Sequence, residues 1–117
     1  EHVILITDAM RASGMPDGEY SLGGLPVMVA DGAARLKEGG ALAGSTLQLA
    51  AAFKNVCEVT NLPMSEVVKS TSASAAASLG LTDRGYLLPG YLADIVLLDK
   101  EFTVQQAMVG GEIRFTR

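Results

Sequence analysis

Val3-Ile4-Leu5-Ile6-Thr7-Asp8 is a run of apolar and β-branched residues closed by a carboxylate. It shows no apolar–polar alternation, which reads as a strand buried on both faces, the character of a parallel sheet. Parallel neighbours need crossovers of a dozen or more residues, and no second strand of this character follows with a helix directly between. The partners of this strand are therefore expected upstream of Glu1, and the expected fold class is α/β. His2 precedes the strand at the end opposite Asp8, roughly 20 Å away if the segment is extended, which places it on a non-catalytic face.

Downstream, Ser13-Gly14-Met15-Pro16-Asp17-Gly18 is a turn-forming loop, since Pro-Asp-Gly supplies one preset φ and one position where a positive φ is tolerated. From Tyr20 to Leu42 short apolar runs alternate with Gly23-Gly24, Asp31-Gly32 and Gly39-Gly40, the pattern of a small antiparallel meander with Val27 to Ala30 paired to Ala33 to Lys37. Ser45 or Thr46 can cap a helix running to about Glu58, whose Leu49, Phe53 and Val56 share a face. A second helix is expected from near Pro63 through Val67 and Val68 to Leu79, ending at Gly80, with the small-residue stretch Ala73 to Ala77 packed closely against another element. Short strands are expected at Tyr86-Leu87-Leu88, Ala93 to Leu98, Ala107 to Val109 and Glu112 to Thr116, with Gly110-Gly111 as a hairpin turn.

The chain has 117 residues, 49% hydrophobic and 19% charged, with net charge −4, which fits one packed domain and excludes a disordered tail. It is too short for a complete catalytic barrel. No two basic residues are adjacent, so no stripe that could track a nucleic-acid backbone exists. The longest apolar runs fall far short of the roughly 20 residues of a membrane span. An opening of Glu1-His2 lacks the basic start of a secretory signal, and a cytoplasmic location is expected. Cys57 is the only cysteine and lies among Phe53, Val56 and Val59, reading as a small buried hydrophobe. One His and one Cys give no metal cluster at ligand spacing, so no metal-binding residue is assigned within the chain.

Two segments resemble a known family. Gly85-Tyr86-Leu87-Leu88-Pro89-Gly90-Tyr91-Leu92-Ala93-Asp94, followed by Ile95-Val96-Leu97-Leu98-Asp99, resembles the segment by which amidohydrolase-superfamily chains return from a metal-dependent barrel to a small β-sandwich. Asp94 is then a turn or strand-edge residue. A narrower likeness, carried by Ile6-Thr7-Asp8-Ala9-Met10, Gly14 to Tyr20, Gly23-Gly24, Asp31-Gly32 and Leu42-Ala43-Gly44-Ser45-Thr46-Leu47, is to the N-acetylglucosamine-6-phosphate deacetylases. It runs in order through essentially the whole chain. One departure is Ser72-Ala73-Ser74-Ala75-Ala76, where that family carries a Ser/Thr-x-Asn-Pro-Ala stretch.

The resemblance implies a C-terminal fragment of a (β/α)8 amidohydrolase barrel, residues 1–83, followed by a β-sandwich segment, residues 84–117. It implies that the intact enzyme hydrolyses N-acetylglucosamine-6-phosphate to glucosamine-6-phosphate and acetate. Asp8 would be the catalytic acid/base, since the carboxyl end of a barrel strand is where catalytic groups project. In the family the matching aspartate takes the proton of a metal-bound water as it attacks the acetamide and passes it to the leaving amine. Leu42, Ala43 and Gly44 match the loop that contacts the sugar, where small groups let substrate approach. Ser45 reads as a cap, not a nucleophile. A divalent metal (Zn, Fe, Mn or similar) belongs to the intact enzyme, with a glutamate and two histidines expected on earlier strands; none is expected in this chain. The partners implied are a sugar-phosphate substrate and a second copy of the protein, as a homo-oligomer, with no nucleic acid and no membrane. The isolated chain is expected to be inactive and, by exposing both sides of Val3 to Ile6, to self-associate. Two rivals remain: another amidohydrolase, dihydroorotase-like or adenine-deaminase-like, against which Pro16-Asp17-Gly18 and Ala43 to Thr46 argue, and a non-catalytic scaffold or oligomerisation module.

Overall fold

The computed structural model describes residues 3–117, so His2 lies outside the described residues. The chain is α/β with two separate three-stranded sheets. It divides into two compact units, one formed by Ile6–Ala52 and the other by residues up to Leu5 together with Phe53–Arg117. The division expected at 83/84 falls inside the second of these.

In the Ile6–Ala52 unit the meander forms as expected, slightly extended at its start. Strands β1 (Gly18–Leu22), β2 (Leu25–Ala30) and β3 (Ala33–Leu36) pair antiparallel in the order β1-β2-β3. Tight turns at Gly23-Gly24 and Asp31-Gly32 set the register, pairing Leu22 with Leu25 and Ala30 with Ala33. Asp31 and Gly32 both have positive φ (52° and 72°), the two-residue geometry whose twist matches the flanking strands. Alternation along β2 points Val27 and Val29 inward, where they join Met10, Ala12, Ala34 and Ala43, with Tyr20 and Leu36 packed alongside. The Tyr20 hydroxyl donates to Pro16 O at 2.6 Å and the Asp31 amide to Asp17 Oδ2 at 3.0 Å, tying the turn-forming loop to the sheet.

The strand expected at Val3 to Thr7 is absent as a strand. Among the described residues no other segment pairs with it in a ladder, and Val3 and Ile6 are 64% and 69% exposed. A run buried on both faces by its composition thus stands uncovered. Its backbone contacts are isolated: the Leu5 amide donates to Ser70 O, and Ala9 forms a single parallel bridge with Ser45.

Helix α1 spans Leu49–Val59, starting two to three residues later than a cap at Ser45 or Thr46 requires. Those two hydroxyls are used otherwise: Ser45 Oγ accepts from the Leu47 amide, and Thr46 Oγ1 donates to Gly32 O. Cys57 is half-buried on α1 and free, less enclosed than its apolar neighbours suggest.

The second helix is not continuous. It divides into α2 (Met64–Val67), a 3₁₀ turn (Val68–Thr71) and α3 (Ala73–Ser78), broken at Ser72, whose φ of −144° is not helical. The expected stop is where it should be: Gly80, at φ 68°, closes α3 with Gly80 N–H to Ala77 O and Leu81 N–H to Ala76 O, the paired bonds of a Schellman cap. Close packing of the small-residue stretch is observed, since Ala73 and Ala76 are buried and a Cβ added at Gly85 would lie 3.0 Å from Ala73 Cα.

Strands β4 (Ile95–Leu98), β5 (Val104–Val109) and β6 (Glu112–Thr116) form the second sheet, again antiparallel between sequence neighbours, with β5 and β6 joined at Gly110-Gly111. Asp94 takes the structural role expected of it, its Oδ1 accepting the Gly110 amide at 2.7 Å. Asp99 holds the β4–β5 turn, its Oδ1 accepting from the Glu101 and Thr103 amides and its Oδ2 from Gln105 Nε2. Tyr86-Leu87-Leu88 is not a strand. The bonds Leu92 N–H to Asp83 O (2.7 Å) and Tyr91 N–H to Leu88 O (3.1 Å) fold the segment into a closed loop, with Tyr86 edge-on to Tyr91.

Candidate active site

Asp8 follows the uncovered apolar segment and has a left-handed backbone, φ 45°. Aspartate tolerates this region better than most residues, and single positions held there outside glycine gather at functional sites. Its side chain is exposed. Immediately after it, the parallel bridge Ala9–Ser45 and the bond from the Met10 amide to Ser45 O (2.8 Å) bring in the second candidate segment. Segments 36 positions apart in sequence, one following Asp8 and the other following Gly44, therefore meet within the Ile6–Ala52 unit.

Within Leu42-Ala43-Gly44 the three residues face different ways. Leu42 is 70% exposed and pairs with Arg35 through a lone antiparallel bridge. Ala43 points into the core and donates its amide to Ala34 O, so its side chain is not available to a ligand. Gly44, at φ 87°, passes so close to the segment after Asp8 that a Cβ would lie 3.2 Å from Met10 Cβ and 3.3 Å from Leu22 Cδ2. Leu42 and Gly44 also line an open depression of about 530 Å³ with Gly32, Ala34, Thr46 and Gln48. Gln48 and Thr46 carried no binding signal in the sequence, because a polar residue near a helix start reads first as a cap.

Among the described residues no group of three or more His, Cys, Asp or Glu is placed to hold a metal ion. The donor set does not fit the divalent metal implied by the resemblance. No helix among the described residues is long and apolar enough to cross a membrane.

The sequence profile of the amidohydrolase family matches residues 3–114. An N-acetylglucosamine-6-phosphate deacetylase of Lysinibacillus sphaericus is 47% identical over 96% of this chain. An N-acetylgalactosamine-6-phosphate deacetylase of Escherichia coli O157:H7 is 43% identical over 97% of it. The crystal structure of an N-acetylglucosamine-6-phosphate deacetylase from Thermotoga maritima superposes with a TM-score of 0.86 at 42% identity, covering 98% of this chain. The chain spans 29%, 30% and 31% of these three proteins, respectively.

Proposed function

Because the chain belongs to the amidohydrolase family, we propose that it is the C-terminal part of an enzyme that hydrolyses N-acetylglucosamine-6-phosphate to glucosamine-6-phosphate and acetate. In this reading residues 1–83 close a (β/α)8 barrel and residues 84–117 belong to a β-sandwich. The observation that supports it is the Ala9–Ser45 bridge, which sets the residue after Asp8 against the residue after Gly44.

Amide hydrolysis is slow because water is a weak nucleophile and an amine leaves badly unless protonated. Asp8 answers both needs in turn. Its carboxylate accepts a proton as water adds to the acetamide carbonyl, then delivers that proton to the amine nitrogen as the C–N bond breaks. Leu42 offers exposed apolar contact to a sugar ring, while Gly44, without a Cβ, lets the loop pack against Met10 and Leu22. The divalent metal general to the family belongs with ligands in the remainder of a longer protein. A cytoplasmic homo-oligomer completes the reading, in keeping with the internal location of charged sugar phosphates and with the exposed apolar residues of both units.

The E. coli relative favours a second substrate, the 4-epimer N-acetylgalactosamine-6-phosphate. Both sugars are to be assayed with the protein that carries this chain in full. Asp8→Asn is expected to lower kcat by about 10²- to 10⁴-fold with KM little changed. Full turnover by that variant would sink the deacetylase reading and favour a scaffold role. The 117-residue chain alone is expected to show none, with or without added divalent metal.

A further inference from the structure

Thr46 is held from two directions. Its hydroxyl donates to Gly32 O in the β2–β3 turn at 2.6 Å. Its carbonyl accepts the Ser13 hydroxyl at 3.1 Å, a proton that Ser13 shares with Leu47 O at 3.3 Å. Ser13 sits in the turn that follows Asp8, where its own amide donates to Met10 O. The backbone contacts between the two candidate segments, the Ala9–Ser45 bridge and the Met10–Ser45 bond, lie almost at one point. Contacts at a single point act as a pivot, about which the segment carrying Asp8 could turn relative to the Leu42–Gly44 loop, itself tied to β3 by Ala43 N–H to Ala34 O and the Arg35–Leu42 bridge.

From this arrangement we infer that Thr46 is a positioning residue that fixes the Leu42–Gly44 loop against Asp8, an inference that rests on the deacetylase reading. Three anchors on different residues oppose that turning: the bridge at Ser45, the Ser13 hydroxyl on the Thr46 carbonyl, and the Thr46 hydroxyl on Gly32, which joins both to the β2–β3 turn. Thr46 touches no reacting atom in this account. It acts by keeping the proton-transferring carboxylate and the sugar-contacting loop in one geometry, and displacements of about 1 Å cost reaction rate steeply.

The test uses Thr46→Val, which keeps the branched shape and removes the donor, and Thr46→Ser, which keeps the donor, both in the protein that carries this chain in full. Thr46→Val is expected to lower kcat about five- to tenfold with KM within about twofold, and Thr46→Ser to restore it. Thr71→Val removes a comparable hydroxyl-to-carbonyl bond, to Val68 O at 2.7 Å, and is expected to leave kcat unchanged. Amide hydrogen exchange supplies a readout apart from turnover: the Met10 amide, bonded to Ser45 O, should exchange faster in Thr46→Val and not in Thr71→Val. Unchanged kcat in Thr46→Val, or equal losses in the Val and Ser variants, would overturn the inference. A wild-type protein inactive on both amino-sugar phosphates would overturn the deacetylase reading instead, and the exchange result would then decide on Thr46 alone.

Discussion

At Gly44 two constraints coincide. The backbone is left-handed, which costs a residue with a Cβ roughly 1–2 kcal/mol, and the space a Cβ needs is taken by Met10 and Leu22. Gly44→Ala is accordingly expected to destabilise the protein by about 1–3 kcal/mol, read as a lower denaturation midpoint with an unchanged slope. Asp83 shows how little an exposed charge pair contributes by comparison. Arg84 donates Nε–H to Asp83 Oδ1 at 2.9 Å and Nη2–H to Oδ2 at 3.2 Å, and these bonds hold the carboxyl below its ordinary value. A depressed carboxylate contributes its stability above the unfolded value, about 3.9, and loses it as pH falls through the folded one. An NMR titration of Asp83 should therefore find its midpoint below about 3.9, and Arg84→Gln should move it back up. Both groups are exposed, so the melting temperature near neutral pH should hardly change.

Among the elements, α3 decides how a proline would be received. The first intrahelical bond is Ala76 N–H to Ser72 O, so the amide of Ala75 has no acceptor within the helix. Proline is tolerated in a first turn for that reason, and Ala75→Pro is expected to change stability by less than about 1 kcal/mol. Ala77→Pro, two residues further in, removes a bond and crowds the preceding turn, and is expected to cost about 3 kcal/mol. Thermal melts of the two variants separate these outcomes. The break at Ser72 itself was not placed from the sequence: Ser70-Thr71-Ser72 favours helix only weakly, but no Gly or Pro marks a stop there, and only the non-helical backbone of Ser72, between the 3₁₀ turn and α3, divides the helix. By contrast the turns at Asp31-Gly32 and Gly110-Gly111 were legible, because two successive positive φ angles leave few residues to choose from. Tyr86-Leu87-Leu88 misled for the opposite reason. Its apolar composition suits a strand, but a bond between residues nine apart, Leu92 to Asp83, curls it into a loop that no local pattern announces.

On the scale of the whole molecule, the apolar content is poorly matched to what is enclosed. The largest fully buried side chain is Val27, while on β4 the adjacent residues Val96 and Leu97, which face opposite sides of the sheet, are 57% and 52% exposed. Both faces of the second sheet are thus open, as is the Val3 to Ile6 segment. Surfaces of this kind seek partners, so the 117-residue chain is expected to elute larger than a monomer in size-exclusion chromatography and to shift later on dilution. A concentration-independent monomer would contradict that. The meeting of the segments that follow Asp8 and Gly44 left no periodic trace in sequence, since it rests on a single bridge between distant residues, Ala9 and Ser45.

The strand order has a further consequence in time. Each sheet is stitched only from neighbours along the chain, β1-β2-β3 and β4-β5-β6, with three of the connections two residues long. Hairpins of this kind close in about 1–10 μs, whereas a ribosome adds about 5–20 residues each second. Both sheets can therefore zip up as they emerge during synthesis, well before any covering surface docks. In that interval the nascent chain shows a finished backbone with sticky sides, the form of intermediate that chaperones recognise.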